Sequence, residues 1–216
     1  MLKYDLSAPA SEQPSTIPTT LLQCLSVREI VFVNEQKAVP LQHHIDRDDA
    51  RSYHWALFST SIPPHPIGTI RLVPYPHHPH PKPGSHFEAP SSHIPVQDSS
   101  ILFSKPLPQY KKDRKIHLHD GVEPMIKLGR LCVVKEERGK GYANLLIQAT
   151  LARAREHPES FEMEGVPQWK GLVCVHAREE AMSTWVRNGF ALDEGMGTWF
   201  EVGIKHVGMV SRLDLE

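Results

Sequence analysis

Disulfides, membrane spans and a net charge of one sign are all missing from this chain. Its three cysteines, Cys24, Cys132 and Cys174, sit in separate apolar contexts. An odd count without close pairs points to buried free thiols rather than a disulfide framework. No apolar run approaches the roughly 20 residues that cross a bilayer. The opening MLKYDLSAPASEQPSTIP lacks the apolar core of a secretory signal. A formal net charge of −1 over 216 residues gives no general attraction to nucleic acid or acidic membrane. These absences predict a cytoplasmic protein, with neither nucleic acid nor membrane as partner.

What is present is enough for one substantial core, since 40% of the residues are hydrophobic. Residues 1–18 are rich in Ser, Pro and Thr and read as a flexible tail, leaving 19–216 as a single domain. Thr20-Leu21-Leu22-Gln23 fits a capping box. The helix it opens would carry Leu22, Leu25, Glu29 and Val33 on one face, with Ile30 beside them. EQKAVPLQHHIDRDDARS reads as short helical or loop structure, and YHWALFS with PIGTIRLVP as a hairpin. From Pro74 to Pro95 there are seven prolines and five histidines. Proline removes ladder donors, so 75–123 is expected as an insertion, a mobile surface loop with no defined metal site.

Regular structure resumes with MIKLGRLCVV, a central-strand pattern. A helix after Gly141 places Leu145, Ala149 and Ala152 together and ends before Pro158. GLVCVHA is another buried strand. REEAMSTWVRNGF is a helix with Ala181 and Trp185 on one face, stopped by Asn188-Gly189. Two strands close the chain. The order predicts a mixed α/β fold with at least one crossover.

The chemistry concentrates in VVKEERGKGYANLL, where a strand becomes a helix. A helix start offers unpaired N–H groups and partial positive charge. Between Arg138 and Ala143, two glycines let backbone approach an anion closely, while Arg138 and Lys140 add full charge. The segment suits a pyrophosphate. It is not a Walker A loop, because Lys140 is followed by Gly141 rather than Ser or Thr. Nor is it a Rossmann fingerprint, because the third glycine position holds Asn144.

LCVVKEERGKGYA resembles the motif of the GCN5-related N-acetyltransferases: an apolar strand, an acidic turn, then Arg-x-x-Gly-x-Gly/Ala, filled here by Arg138, Gly141 and Ala143. Ala181, Trp185, Gly189 and Phe190 match the later Ala-x-x-x-Tyr-x-x-x-Gly-Phe, with Trp in place of Tyr. REIVFVNEQ, the Asp pair that follows it, Gly129-Arg130, and the run from Glu201 to Met209 resemble the branch typified by the bacterial ElaA proteins. The resemblance covers about 22–58 and 126–212.

This resemblance implies a mostly antiparallel sheet, splayed at an acetyl-CoA site, with helices on both faces. It implies direct transfer of an acetyl group from acetyl-CoA to a small-molecule primary amine. Acetylation of protein amines and a non-catalytic CoA-binding role are the alternatives. A homodimer would be in keeping with the family. Arg138, Gly139, Lys140, Gly141, Tyr142 and Ala143 would hold the pyrophosphate, and Leu131, Cys132 and Val133 would offer backbone to the pantetheine arm. His176, at a strand end beside the acetyl group, is the first candidate base, or else a packed strand-end histidine. Glu35 is a second candidate, or an ion-pair partner of Arg28 or Arg130. His206 is the third, or structural. Asp46 and Asp49 would bind a cationic amine or form a solvated turn. Arg130 is expected to pair with a carboxylate. Trp185 removes the usual tyrosine acid, since an indole N–H has no useful acidity. No metal is expected among these roles.

Overall fold

The computed structural model describes residues 4–88 and 109–215. Eight strands form one sheet: β1 (Tyr53–Phe58), β2 (Pro66–Val73), β3 (His86–Phe87), β4 (Ile126–Val133), β5 (Leu172–Arg178), β6 (Ala191–Leu192), β7 (Thr198–Glu201) and β8 (Ile204–Arg212). Their order is β1-β2-β4-β5-β8-β7-β3, with β6 pairing β8 off this path. Pairing is antiparallel except for β4–β5 and β3–β7. The parallel β4–β5 pair needs a crossover, and α2 (Tyr142–Glu156) supplies it.

Alternation along β2 separates the layers. Ile70 and Leu72 face α2 and join Leu146, Ile147 and Leu151 in the main core. Burying each such side chain stabilises by about 1.5–3 kcal/mol. Arg71, on the other face, points toward α1 (Thr19–Arg28), which continues through π-helical turns over Glu29–Glu35. The two long helices therefore lie on opposite faces. A third helix, α3 (Met182–Arg187), brings Trp185 onto the α2-side core.

Several expectations need correction. α1 begins at Thr19, directly after Pro18, and no side chain caps it, so Thr20 starts no capping box. Its buried face runs through Leu21, Cys24, Leu25 and Arg28, while Ile30 is 47% exposed. A buried arginine is what misplaces the stripe, because hydropathy counts it as a surface residue. In α2 the inward residues are Leu146, Ile147, Thr150, Leu151 and Ala154, and Leu145 is 53% exposed. Adjacent leucines cannot fix the phase of a helix; docking on β2 and β4 does. Residues 4–17 form no loose tail. Tyr4, Leu6, Ala10 and Ile17 pack with Leu21, Leu25 and Ile45, and Glu29 Oε2 accepts the Ala10 N–H at 2.8 Å.

Both described ends of the proline-rich insertion are also built into the fold. His77 Nε2 donates to the Met125 carbonyl at 2.9 Å, and His80 is buried. β3 pairs with β7, Ile116 enters a core cluster, and Arg114 donates to the Pro81, Gly195 and Met196 carbonyls. Backbone groups that proline cannot pair in a sheet are here satisfied one by one by side chains. The rest of the expected loop, 89–108, lies outside the described residues.

Candidate functional site

A bulge and a parting of strands create the site. Thr69 pairs with Cys132 and Arg71 with Gly129, so β4 holds one residue more than β2 between these pairs. The extra residue is at the bulge, where Arg130 adopts φ +52°. Its guanidinium reaches Asp46 at 2.6 Å, which anchors this unfavourable backbone. On its other edge, β4 pairs with β5 only over Ile126–Leu128 and Val173–Val175. Beyond those residues the strands separate. β4 from Gly129 to Val133 and β5 from His176 to Arg178 thus have edges turned toward each other without a ladder between them.

A cleft of about 220 Å³ occupies the gap. Leu131, His176, Trp185, Glu201 and His206 are among its lining residues, as are Phe32 of the π-helical turns and Lys127 of β4. Of the backbone trio expected to meet the pantetheine arm, Leu131 lines the cleft. Cys132 and Val133 continue the same strand, and the Cys132 side chain packs with Val27 of α1 and Val31 of the π-helical turns.

The glycine corner is intact. Gly139 and Gly141 have φ of +79° and +84°, and nothing lies within 4 Å of where a Cβ would project from either. α2 starts at Tyr142 with Gly141 as its N-cap and no capping side chain, so its first-turn N–H groups remain available to a ligand. These features fit a pyrophosphate. The charged side chains are less exposed to a ligand than expected. Arg138 donates from Nη1 and Nη2 to both oxygens of Glu35, at 2.7 and 2.6 Å, and from Nε to the Val133 carbonyl. Lys140 donates to Glu137 at 2.8 Å. Tyr142 and Ala143 are half-buried and pack against the core.

Glu35 therefore sits at the corner and not among the cleft residues, paired with Arg138 instead of Arg28 or Arg130. The Arg138 hydrogen bonds hold its carboxyl below the usual carboxylate range. Removing that charge frees the guanidinium. If the corner holds the pyrophosphate of coenzyme A, Glu35→Gln should tighten that binding roughly two- to fivefold, as a partly exposed ion pair warrants. Turnover should remain. Calorimetry with coenzyme A, alongside an acceptor assay, checks both halves; a collapse of turnover would instead mark Glu35 as a participant in the chemistry.

His176 and His206 do reach the cleft. His176 follows Val175, the last β5 residue paired with β4, so it stands at the fork itself. Its ring meets Trp199 edge-on, with centroids 4.8 Å apart. His206 Nδ1 lies 2.8 Å from the Ile204 carbonyl. A carbonyl only accepts, so Nδ1 carries a proton, and in the neutral ring the lone pair is on Nε2. Glu201 Oε2 is 4.0 Å from that Nε2, and Oε1 accepts the Trp199 N–H at 2.9 Å. Glu201 and Lys127 were missed as cleft residues. The first appeared only as part of a motif, and the second as a polar interruption of a strand. Burial pushes Lys127 down from the usual lysine range.

Asp46 and Asp49 are neither solvated nor open to a substrate. Arg28 and Arg71 both meet Asp49 Oδ1 at 2.7 Å, while Arg71 and Arg130 bind Asp46 at 2.6 Å. The Asp46 N–H adds a bond to Asp49 Oδ2. This buried network forms one wall and presents Arg71 and Arg130 to the cleft. Trp185 is buried against Phe190 and also lines the cleft. None of the five tyrosines does.

The splayed sheet between two opposed helices, with a glycine corner after the fourth strand, has counterparts among solved structures. Escherichia coli ElaA superposes with a TM-score of 0.52 at 19% identity, over 94% of this chain and 95% of that one. The fold is that of the GCN5-related N-acetyltransferases. A Lactobacillus plantarum protein assigned provisionally as an N-acetyltransferase gives a TM-score of 0.56 at 18% identity, covering 93% of this chain and 95% of that one. An acyl-CoA N-acyltransferase from Pseudomonas aeruginosa gives 0.50 at 17%, covering 94% of each. No protein-family model and no curated protein matches the sequence. Within this N-acetyltransferase fold, the mostly antiparallel sheet and the ElaA-like architecture agree with the sequence reading. Among the described residues, no helix is long and apolar enough to cross a membrane.

Proposed function

We propose that the chain is an acetyl-CoA-dependent N-acetyltransferase that acts on a small primary amine. The observation that carries this reading is the fork between β4 and β5, whose β4 edge runs from the cleft at Leu131 toward the glycine corner that follows Val133. Gly139–Ala143 would hold the pyrophosphate, and the unladdered edge of Leu131–Val133 would offer its amides to the pantetheine arm. The bound thioester supplies the acyl group and a thiolate leaving group.

This chain's residues have two tasks. Walls that hold an amine against the thioester convert an encounter into an intramolecular step. His176, at the fork, takes the proton that the amine must lose as its nitrogen bonds to the acyl carbon. His206, tied to Ile204 and facing Glu201, is a positioning residue on the outer wall. The volume of about 220 Å³ lies below the roughly 300–1,000 Å³ of drug-sized sites, which favours a small acceptor over a peptide. Trp185 leaves no acid at the place of the family tyrosine, so the thiolate departs without a protein proton there. That same tryptophan favours the alternative of a non-catalytic acyl-CoA-binding protein. Thiol release with any amine would rule that alternative out.

The first test is calorimetric titration of acetyl-CoA. Wild type should bind, and Gly141→Asp should bind at least 100-fold more weakly, or ~2.7 kcal/mol. The new side chain would strain a left-handed backbone and set a carboxylate against the phosphates. Arg138→Ala should change affinity far less, because Arg138 is held by Glu35. No binding by well-folded wild type would refute the proposal.

A further inference from the structure

At the edge of the cleft, His176 also belongs to a cluster whose other members, His80 and Cys174, have no part in acetyl transfer. His80, Cys174 and His176 each present one ligand-type atom, all within 4.8 Å of one another. Cys174 and His176 are two residues apart on β5 and so share a face. The insertion lays His80 across them, its ring centroid 6.0 Å from that of His176. The His80 side chain is fully enclosed, and neither ring nitrogen has a hydrogen-bond partner. The nearest carboxylate oxygen, Asp113 Oδ2, is 3.8 Å from Nε2, too far for a hydrogen bond. Two orphaned polar atoms on one buried ring call for an explanation.

A second histidine points the same way. His119 Nε2 lies 2.8 Å from the Glu123 carbonyl, so it carries a proton, and in the neutral ring the lone pair is on Nδ1. That Nδ1 is buried with no hydrogen-bond partner, and its ring stands edge-on to His80 at 5.7 Å.

We propose that His80, Cys174 and His176 form a binding site for a divalent transition metal of the zinc class, with His119 as the next nitrogen donor. One sulfur and several imidazoles suit a borderline-soft ion; calcium and magnesium would require oxygens. Tetrahedral bonds of roughly 2.0–2.3 Å place ligand atoms about 3.5 Å apart, so the cluster closes by small side-chain rotations. On binding, the Cys174 thiol releases its proton to solvent as the metal–sulfur bond forms. The thiolate and the Asp113 carboxylate offset the ion's charge; Lys127, in register with Cys174, opposes it.

The metal would pin the insertion to β5. It would also silence His176 as a base, because an imidazole with one nitrogen on a metal and a proton on the other cannot accept another proton. The metal-loaded form is thus expected to be inhibited, and removing the metal should restore turnover.

Cobalt(II) titration of the chelator-treated full chain tests this without an activity assay. One equivalent should bind, with a sulfur-to-cobalt charge-transfer band and tetrahedral d–d absorption. The charge-transfer band should vanish in Cys174→Ser. His80→Gln should weaken binding at least tenfold, and His86→Gln, exposed in the same insertion, should change nothing. Zinc should raise Tm in wild type and not in His80→Gln. Folded wild type that shows no charge-transfer band would overturn the proposal. So would a band that persists in Cys174→Ser, or uptake that depends on His86 rather than His80.

Discussion

Replacing Asp49 by alanine should destabilise the fold by about 3–5 kcal/mol, because it removes one partner from a buried ionic network. Arg28 and Arg71 both lean on this carboxylate, and Arg28 is fully buried. Without it, Arg28 loses its carboxylate in the interior, and Arg71 keeps only Asp46, which already serves Arg130. Asp49→Asn should lose a comparable amount, since the amide keeps the shape but not the charge. Asp48→Ala provides the contrast. Its pair with Arg51 is partly exposed, and its loss should cost about 1 kcal/mol or less. Urea denaturation of the three variants checks the ranking. Equal losses for Asp48 and Asp49 would mean that the network contributes little.

The same network sets the acid limit. Burial pushes the Asp49 carboxyl up, but Arg28 and Arg71 more than offset this and hold it well below the ordinary range. Asp46 is likewise lowered, by Arg71 and then Arg130, against burial and its repulsion from Asp49. A carboxyl depressed in the folded state adds stability that is fully present above its unfolded pKa of about 3.9. That stability disappears as pH falls through the folded values. Wild type should therefore lose stability steeply below about pH 4, and Asp49→Asn should show a shallower acid slope.

Under the proposed acetyl transfer, His176→Ala should lower kcat by roughly 10²–10⁴-fold while leaving acetyl-CoA affinity within a fewfold of wild type. The reasoning is positional: His176 stands where β4 and β5 part, whereas the glycine corner lies at the far end of the same gap. His176 also packs on Trp199, so loss of activity alone would not separate catalysis from packing. Two readouts do. Added imidazole should restore part of the rate in His176→Ala, and His176→Gln, which keeps most of the volume, should remain slow. A fast glutamine variant would leave His176 a packing role and move attention to His206 and Glu201. The assays belong in chelator, so that metal bound to His176 does not mask the result.

Strands and helices were legible because their periodicities are local. The hairpin of β1 and β2, the β4 run, the β5 run and the Asn188-Gly189 stop all follow from neighbours within a few residues. The corner was equally readable, since Arg138, Gly139, Lys140 and Gly141 are contiguous and only glycine takes those φ values without strain. What the sequence could not assign was the partner of each charge. Glu35 lies 103 residues from Arg138, and Arg130 lies 84 residues from Asp46. Nothing local distinguishes a base from an ion pair, or a solvated Asp turn from the centre of a buried network. The insertion misled for the opposite reason: prolines do exclude a sheet interior, but side chains can still bind such a segment to the fold. Residue pattern by itself determined the long strands and helices, the crossover and the glycine corner, because each depends on short-range backbone preference; it missed the two-residue strands β3 and β6, which are defined only by pairing with β7 and β8. Tertiary structure alone decided that His80 meets Cys174 and His176, since burial and ligand geometry arise only where distant segments pack together.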